Sequence, residues 1–444
     1  MNKRPSPLSP RPTLCGWLSG FTLIELMIAL TIGLLMLVAL VGLFASSSRS
    51  NNELAKMNSL IENGRFAMQL LQDDLILAGF WGTFLPDFND LYLTTPPIDL
   101  PLAVPDPCLA YASWDAAYRT NLIGTPVQVY DAIPTSCSSV ITNRLANTDI
   151  LVVRYAESCA LLWNTGTSTW SADPTSPNCE ANVDGKLYFQ SSLQPVPTPT
   201  GCTAESRYVL GTTGFTLHKG NCGAYANKRK FNSHVYYIRN YAATSGDGIP
   251  TLVRADFDLA GGTLAHQTAT ALIEGIEGFR VELGFDTLSK TTQQVDYYSV
   301  PTQWDSTSAN TPKNRGDGIP DGPFARCTNA TTGTPCIASC SPSGQPTTCN
   351  VATYNCNPTT DTACIAKRQL VNVTAARVYV LVRARERTLG YTDAKTYHLG
   401  SGTTTDVCSK LMPISPCTLD SGYKRHTFST TVRLTNVSAR RDMP

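Results

Sequence analysis

The 444-residue chain is nearly neutral, with 35 basic and 34 acidic residues giving +1, so no global field draws it to nucleic acid or to anionic lipid. Histidine is scarce. The five present, His218, His234, His266, His398 and His426, form no HExxH pair, and GxSxG, Walker and dinucleotide-binding fingerprints are missing as well. Nothing marks a nucleophile or a metal centre, so the chain reads as a non-enzyme without a cofactor, although a Ser/His/Asp set assembled by folding would leave no trace in the sequence.

What is present begins with one apolar run. Phe21 to Phe44 spans 24 residues. At about 1.5 Å per residue this is long enough to cross a hydrocarbon core of about 30 Å as a helix. A secretory signal peptide has a shorter apolar centre. Ala45 and Ser46 to Ser48 would suit a cut, but a helical pattern continues past them. Leu54, Met57, Ile61, Gly64, Met68, Leu71, Leu75 and Ala78 recur at alternating spacings of three and four, with no proline before Pro86. The two parts predict one helix from about Leu23 to Ala78, apolar all round in its first half and amphipathic in its second.

Glu25 is the only acid in the apolar run. A carboxylate at the centre of a membrane helix costs on the order of 3 kcal/mol, less near the end, and such residues mark a pairing role. A position close enough to the boundary to reach water is the ordinary explanation. A cut between Gly20 and Phe21 would instead place a new terminal ammonium four residues before Glu25. The stretch Gly20-Phe21-Thr22-Leu23-Ile24-Glu25-Leu26 resembles the class III signal of type IV pilins and of the pseudopilins of type II secretion. The resemblance implies that a prepilin peptidase cuts after Gly20 and methylates Phe21. It also implies that Glu25 compensates an amino terminus in the filament core. Lys3, Arg4 and Arg11 in the leader Met1 to Gly20 fit retention on the cytoplasmic side.

Beyond the helix the chain reads as β-rich. "DILVVRYAES", "NSHVYYIRNY", "IEGFRVELGFD", "AARVYVLVRARE" and "HTFSTTVRLTN" are short runs of Val, Tyr, Phe and Thr between turn-forming residues. In the fourth, Val378, Val380 and Val382 alternate with Tyr379, Leu381 and Arg383, the pattern of a half-buried antiparallel strand. Fold class is therefore α+β, a long N-terminal transmembrane and amphipathic helix followed by a β-rich, disulfide-stapled head. The segments are 1–20 (leader), 21–80 (helix, 21–44 transmembrane), 81–300 (β-rich head), 301–364 (Cys-rich insertion) and 365–444 (C-terminal strands). "PVPTP" at 195–199 reads as an exposed connection.

Loss of Cys15 with the leader leaves 14 cysteines, an even number that suits an oxidising periplasm or cell surface. The disulfide candidates are Cys108, Cys137, Cys159, Cys179, Cys202, Cys222, Cys327, Cys336, Cys340, Cys349, Cys356, Cys364, Cys408 and Cys417. Spacing leaves their connectivity open. The crowded stretch from Cys327 to Cys364 has no CxxC pair and no histidine, which argues for bridges over zinc. "GDGIP" occurs twice, at Gly246 to Pro250 and at Gly316 to Pro320. Asp247, Asp317 and Asp321 could supply oxygen ligands to calcium, but Asp-Gly is more often a plain turn, and no metal is assigned. Arg383, Arg385 and Arg387, with Arg440 and Arg441, could form a stripe for DNA phosphates; an outward strand face blunted by charge is the favoured alternative.

"GRFAMQLLQDDLILAGFWG", "GDGIPTLVR", "LIEGIEGFRVELGFDT" and "YKRHTFSTTVRLTN" are similar to segments of the PilW group of minor pilins, a likeness that fails over the Cys-rich insertion. It implies a pilin-like head and a low-abundance subunit that primes pilus assembly near the tip. The implied partners are other minor pilins, the major pilin, a PilY-type tip adhesin and the prepilin peptidase. The implied location is the inner membrane, with the head in the periplasm, before assembly and the cell-surface pilus after it. Twitching, adhesion or DNA uptake would follow. A pseudopilin of type II secretion and a membrane-tethered periplasmic binding domain or enzyme are the alternatives.

Overall fold

The computed structural model describes residues 22–86, 99, 101, 103–175, 179–194, 202–220, 222–286, 288, 316–321, 324–326, 370–400, 410–411 and 419–439. The predicted helix is present as α1, Leu23–Leu77, 55 residues without a break. Two compact units divide within it, one ending at Ala55 and the other beginning at Lys56. In the first unit the helix exposes large apolar side chains all round, with Leu23 77%, Leu35 68% and Phe44 76% exposed. Its most apolar 18-residue window has a mean hydropathy of 2.8 and no buried residue. By length and composition this segment can cross a membrane.

In the second unit the rest of α1 is an amphipathic core helix. Leu60, Gly64, Ala67, Met68, Leu71, Asp74 and Leu75 are buried, and Gly64, Met68, Leu71 and Leu75 belong to the face predicted from spacing. Gly64 must lack a side chain: a Cβ there would lie 2.1 Å from the ring of Phe428. Helix ends demand partners for free backbone groups. Here the exit segment joins a strand, with Gly79 N–H donating to Arg154 O at 3.0 Å and Ala156 N–H to Phe80 O at 2.7 Å.

The described strands, in chain order, are β1 Val127–Tyr130, β2 Ile150–Ala156, β3 Leu161–Asn164, β4 Thr169–Ala172, β5 Tyr188–Ser191, β6 Tyr208–Gly211, β7 Lys228–Arg239, β8 Thr251–Ala260, β9 Thr263–His266, β10 Thr270–Glu274, β11 Ile276–Phe285, β12 Phe324–Arg326, β13 Val373–Arg383, β14 Tyr397–His398, β15 Lys410–Leu411 and β16 Arg425–Arg433. One sheet carries β1 to β10 and turns about the long strand β7, which pairs with β2 and β8 along one half and with β3 and β5 at its start. A second sheet has the order β12-β11-β13-β16, antiparallel throughout. β14 and β15 form a separate pair. Gly275 joins the sheets between β10 and β11. Its φ of +82° and the 2.7 Å from a built Cβ to Arg383 O exclude larger residues.

All five predicted strands are observed, with two departures from expectation. β13 is not half-buried along its length: Val378, Val380 and Val382 enter the main core, while Leu381, on the other face, is buried against Tyr397 and Leu399. The stretch read as an insertion, 301–364, also contributes to the head, because β12 pairs with Glu282 to Gly284 of β11. The main core is built from the buried face of α1 against β1, β2, β7, β11 and β13. A second, aromatic core surrounds the helix exit, where Trp81 stacks on Phe231 at 5.8 Å and donates its indole N–H to Ile123 O at 3.2 Å.

Six of the candidate cysteines form three bridges, Cys108–Cys137, Cys159–Cys179 and Cys202–Cys222. The other eight, together with Gly20, Phe21, the "PVPTP" connection and Arg440 with Arg441, lie outside the described residues.

Candidate functional site

Glu25 stands on the first turn of α1. Its Oε2 accepts from Thr22 N–H at 3.0 Å and from Thr22 Oγ at 2.9 Å, while Glu25 N–H faces Thr22 Oγ at 3.3 Å. This is a reciprocal capping box, Thr-x-x-Glu, and it satisfies donors that a helix start leaves free. The sequence reading concentrated on a charge partner and missed this arrangement, although Thr22 and Glu25 spell it out. Within a single chain, Glu25 therefore serves to start the helix.

At the other end of α1 a carboxylate is buried among donors. Asp74, 8% exposed, accepts from Tyr155 OH at 2.9 Å, from Tyr236 OH at 2.5 Å and from His234 Nδ1 at 2.5 Å. Asp256 faces the opposite ring nitrogen of His234 at 3.6 Å and is itself paired with Arg254 at 2.6 Å. Burial raises the Asp74 pKa, but the hydrogen bond and charge of His234 and the two phenols outweigh it and hold the carboxyl below its ordinary value. The cluster joins α1 to β2 and β7. It is an anchor, with every group engaged in holding the helix.

The two GDGIP turns differ. In the first, Asp247 accepts backbone N–H groups from Ala242, Ala243, Thr244 and Ile249, at 2.9 to 3.2 Å. These bonds, led by that from Ile249, pull its pKa down to about 2. That carboxylate organises its own turn. In the second, Asp317 accepts from Ile319 N–H at 2.9 Å, and Asp286 accepts from Gly318 N–H at 2.7 Å. Asp286, Asp317 and Asp321 bring ligand oxygens within 4.8 Å of one another. Asp286 comes from the end of β11 and had no part in the sequence reading.

The three described members of the arginine stripe each meet a carboxylate. Arg383 is 9% exposed and meets Glu277 at 3.5 Å, Arg385 meets Glu274 at 3.3 Å, and Arg387 meets Asp420 at 3.1 Å. Glu277 also binds Arg425 at 2.6 Å, and Arg425 reaches Asp393 at 3.3 Å, so these charges close an end of the second sheet. Among the histidines, His234 serves the helix anchor, His218 pairs with Glu205, and His266 Nε2 donates to Pro107 O at 2.8 Å.

An apolar helix that can span a membrane thus runs into a disulfide-stapled β head. Residues 235–318 and 345–436 match the family model described as Type IV Pilus-assembly protein W, PilW. This part of the head is similar to that family. The match runs from inside β7 to just past β16 and enters both flanks of the Cys-rich segment, 301–318 and 345–364, leaving 319–344 unmatched. A type IV-like pilin from Thermus thermophilus aligns with 85% of this chain and 98% of its own at 10% identity and a TM-score of 0.28. No curated protein matches the chain. The match over this part of the head and the membrane-length apolar helix support a type IV pilus-associated pilin.

Proposed function

We propose that the chain is a minor pilin that is cut after Gly20, methylated on Phe21 and drawn from the inner membrane into a type IV pilus, where it helps prime assembly near the tip. The observation that carries the reading is the unbroken α1: it starts two residues beyond the Gly20-Phe21 motif, stays apolar and unburied for a membrane's thickness, and ends anchored in a head part of which is similar to PilW. The head then lies in the periplasm before assembly, where the three disulfides form. Other minor pilins, the major pilin and a PilY-type adhesin are the partners, and the prepilin peptidase acts on the leader.

In the filament, Glu25 exchanges or shares its Thr22 bonds with a terminal ammonium. Unpaired in an apolar bundle, the carboxylate is costly, so pairing favours the assembled register. Glu25→Ala is expected to leave cleavage intact and to lower the fraction recovered in sheared fibres by at least tenfold, measured by quantitative immunoblot of fibre and membrane fractions. Incorporation at the wild-type level would overturn the role given to Glu25.

A further inference from the structure

Beside the helix exit lies a small, partly open pocket of about 70 Å³. Trp81 and Phe189 form apolar wall, and Thr83 with Ser191 contribute hydroxyls 3.3 Å apart. One of these hydroxyls donates to the other, which leaves the second hydrogen for another acceptor. Asn227, also on the wall, has its side-chain oxygen buried without a partner, and exchanging the two ends of the amide would present N–H there instead.

The charges on this pocket are of one sign. Lys219 and Arg229 line it, and among the described residues no carboxylate does. Arg229 is half-buried; among the described residues its guanidinium donates to two neutral acceptors, Glu157 O at 3.1 Å and Ser158 O, and lies 5.5 Å from the centre of the Phe80 ring. Among the described residues no carboxylate lies in ion-pair reach of Arg229 or Lys219, whereas Arg207, Arg385 and Arg387 each have one. Burial is the only influence on the Arg229 pKa, which it lowers. A desolvated cation without a counter-charge favours an anion from outside the chain.

We propose that this pocket takes a carboxylate, the side chain of an aspartate or glutamate presented by a neighbouring pilus subunit. The volume suits an acetate-sized group. Four heavy atoms alone bind at best in the range of tens of micromolar, so a free acid of this size would be held weakly, and the pocket suits the anchor of a larger interface. Arg229 and Lys219 grip the oxygens, and Trp81 with Phe189 accommodate the adjoining methylene. The neighbour as source of the acid rests on the filament reading; the preference for carboxylate does not.

Two measurements separate these parts. Full-length protein in detergent is titrated with sodium acetate against sodium chloride at equal ionic strength, followed by tryptophan fluorescence. A saturable change specific to acetate, lost in Arg229→Gln or in Lys219→Gln and kept in Arg229→Lys, is expected; its absence from the wild type overturns the site. Intact fibres are then treated with a water-soluble carbodiimide, which couples an amine to a carboxylate with loss of water, and peptides are mapped by mass spectrometry. Lys219 joined to an acidic residue of another chain, at least fivefold less in Arg229→Gln, is expected. Coupling of Lys219 only to its own chain or to a small acid, or no coupling, overturns the neighbour as occupant. Absence of the chain from fibres overturns the filament reading while the acetate result stands by itself.

Discussion

Replacing Asp74 by alanine removes the acceptor that three buried side chains share. Tyr155, Tyr236 and His234 would each keep a donor with nowhere to point, and leaving one buried group unsatisfied costs about 1–3 kcal/mol. Partial relaxation and entry of water reduce the sum, so the expected loss is about 4 kcal/mol, a large share of a domain's total of about 5–15 kcal/mol. Tyr155→Phe and Tyr236→Phe should each cost about 1 kcal/mol alone and nearly nothing in the alanine background, because the acceptor is already gone. The pH dependence has a definite sign. Asp74 binds its proton less tightly folded than at its unfolded value of about 3.9, so its contribution is complete above that pH and is lost as pH falls through the lower folded value. Urea unfolding of the full chain in detergent, with disulfides intact, measures all of these. A loss below about 1 kcal/mol, or tyrosine effects that simply add to that of the alanine, would refute the anchor.

Gly64→Ala should destabilise the docking of α1 by about 1–3 kcal/mol through overpacking on Phe428, and Phe428→Leu should recover part of it, read by the same unfolding assay. Arg280 and Asp149 form a fully buried pair at 3.2 Å between β11 and the start of β2. Arg280→Met alone should cost about 3–5 kcal/mol, and Asp149→Leu added to it should restore part of the loss, since the stranded charge is removed while the buried Val281 N–H that Asp149 accepted stays unpaired. Non-reducing peptide mapping should recover the three pairings 108–137, 159–179 and 202–222. Each closes a loop worth about 3–4 kcal/mol on chain-entropy grounds, so loss of any one should lower the urea midpoint.

Periodic features were legible in the sequence because burial imposes them residue by residue. The spacing read from Leu54 to Ala78 foretold the buried face of α1 from Gly64 onward, whereas Leu54 is exposed, and alternation in 375–386 foretold β13. Asp74 was invisible for the same reason. A carboxylate on the buried side of an apolar stripe is assigned outward by pattern, and only β2 and β7, distant in sequence, supply the donors that bring it in. Arg383 was likewise placed on an outer face, yet Glu277 and the ring of Tyr423, 4.2 Å from its guanidinium, cover it. Of the candidate sites, Glu25 was singled out for a charge partner and its local bond to Thr22 was missed. The cysteine pairing lay beyond reach because neighbours in sequence are not uniquely neighbours in space. The pocket at the helix exit draws on Trp81, Phe189, Lys219 and Arg229, four separate stretches that no local motif connects.

The most direct test of the filament account is the intact and N-terminal mass of the chain recovered from sheared surface fibres, before and after reduction. The account predicts a mature chain that begins with methylated Phe21 and gains about 14 Da on reduction if all seven bridges form, of which the three described account for about 6 Da. A chain that retains Met1, or one cut near Ala45, would contradict it.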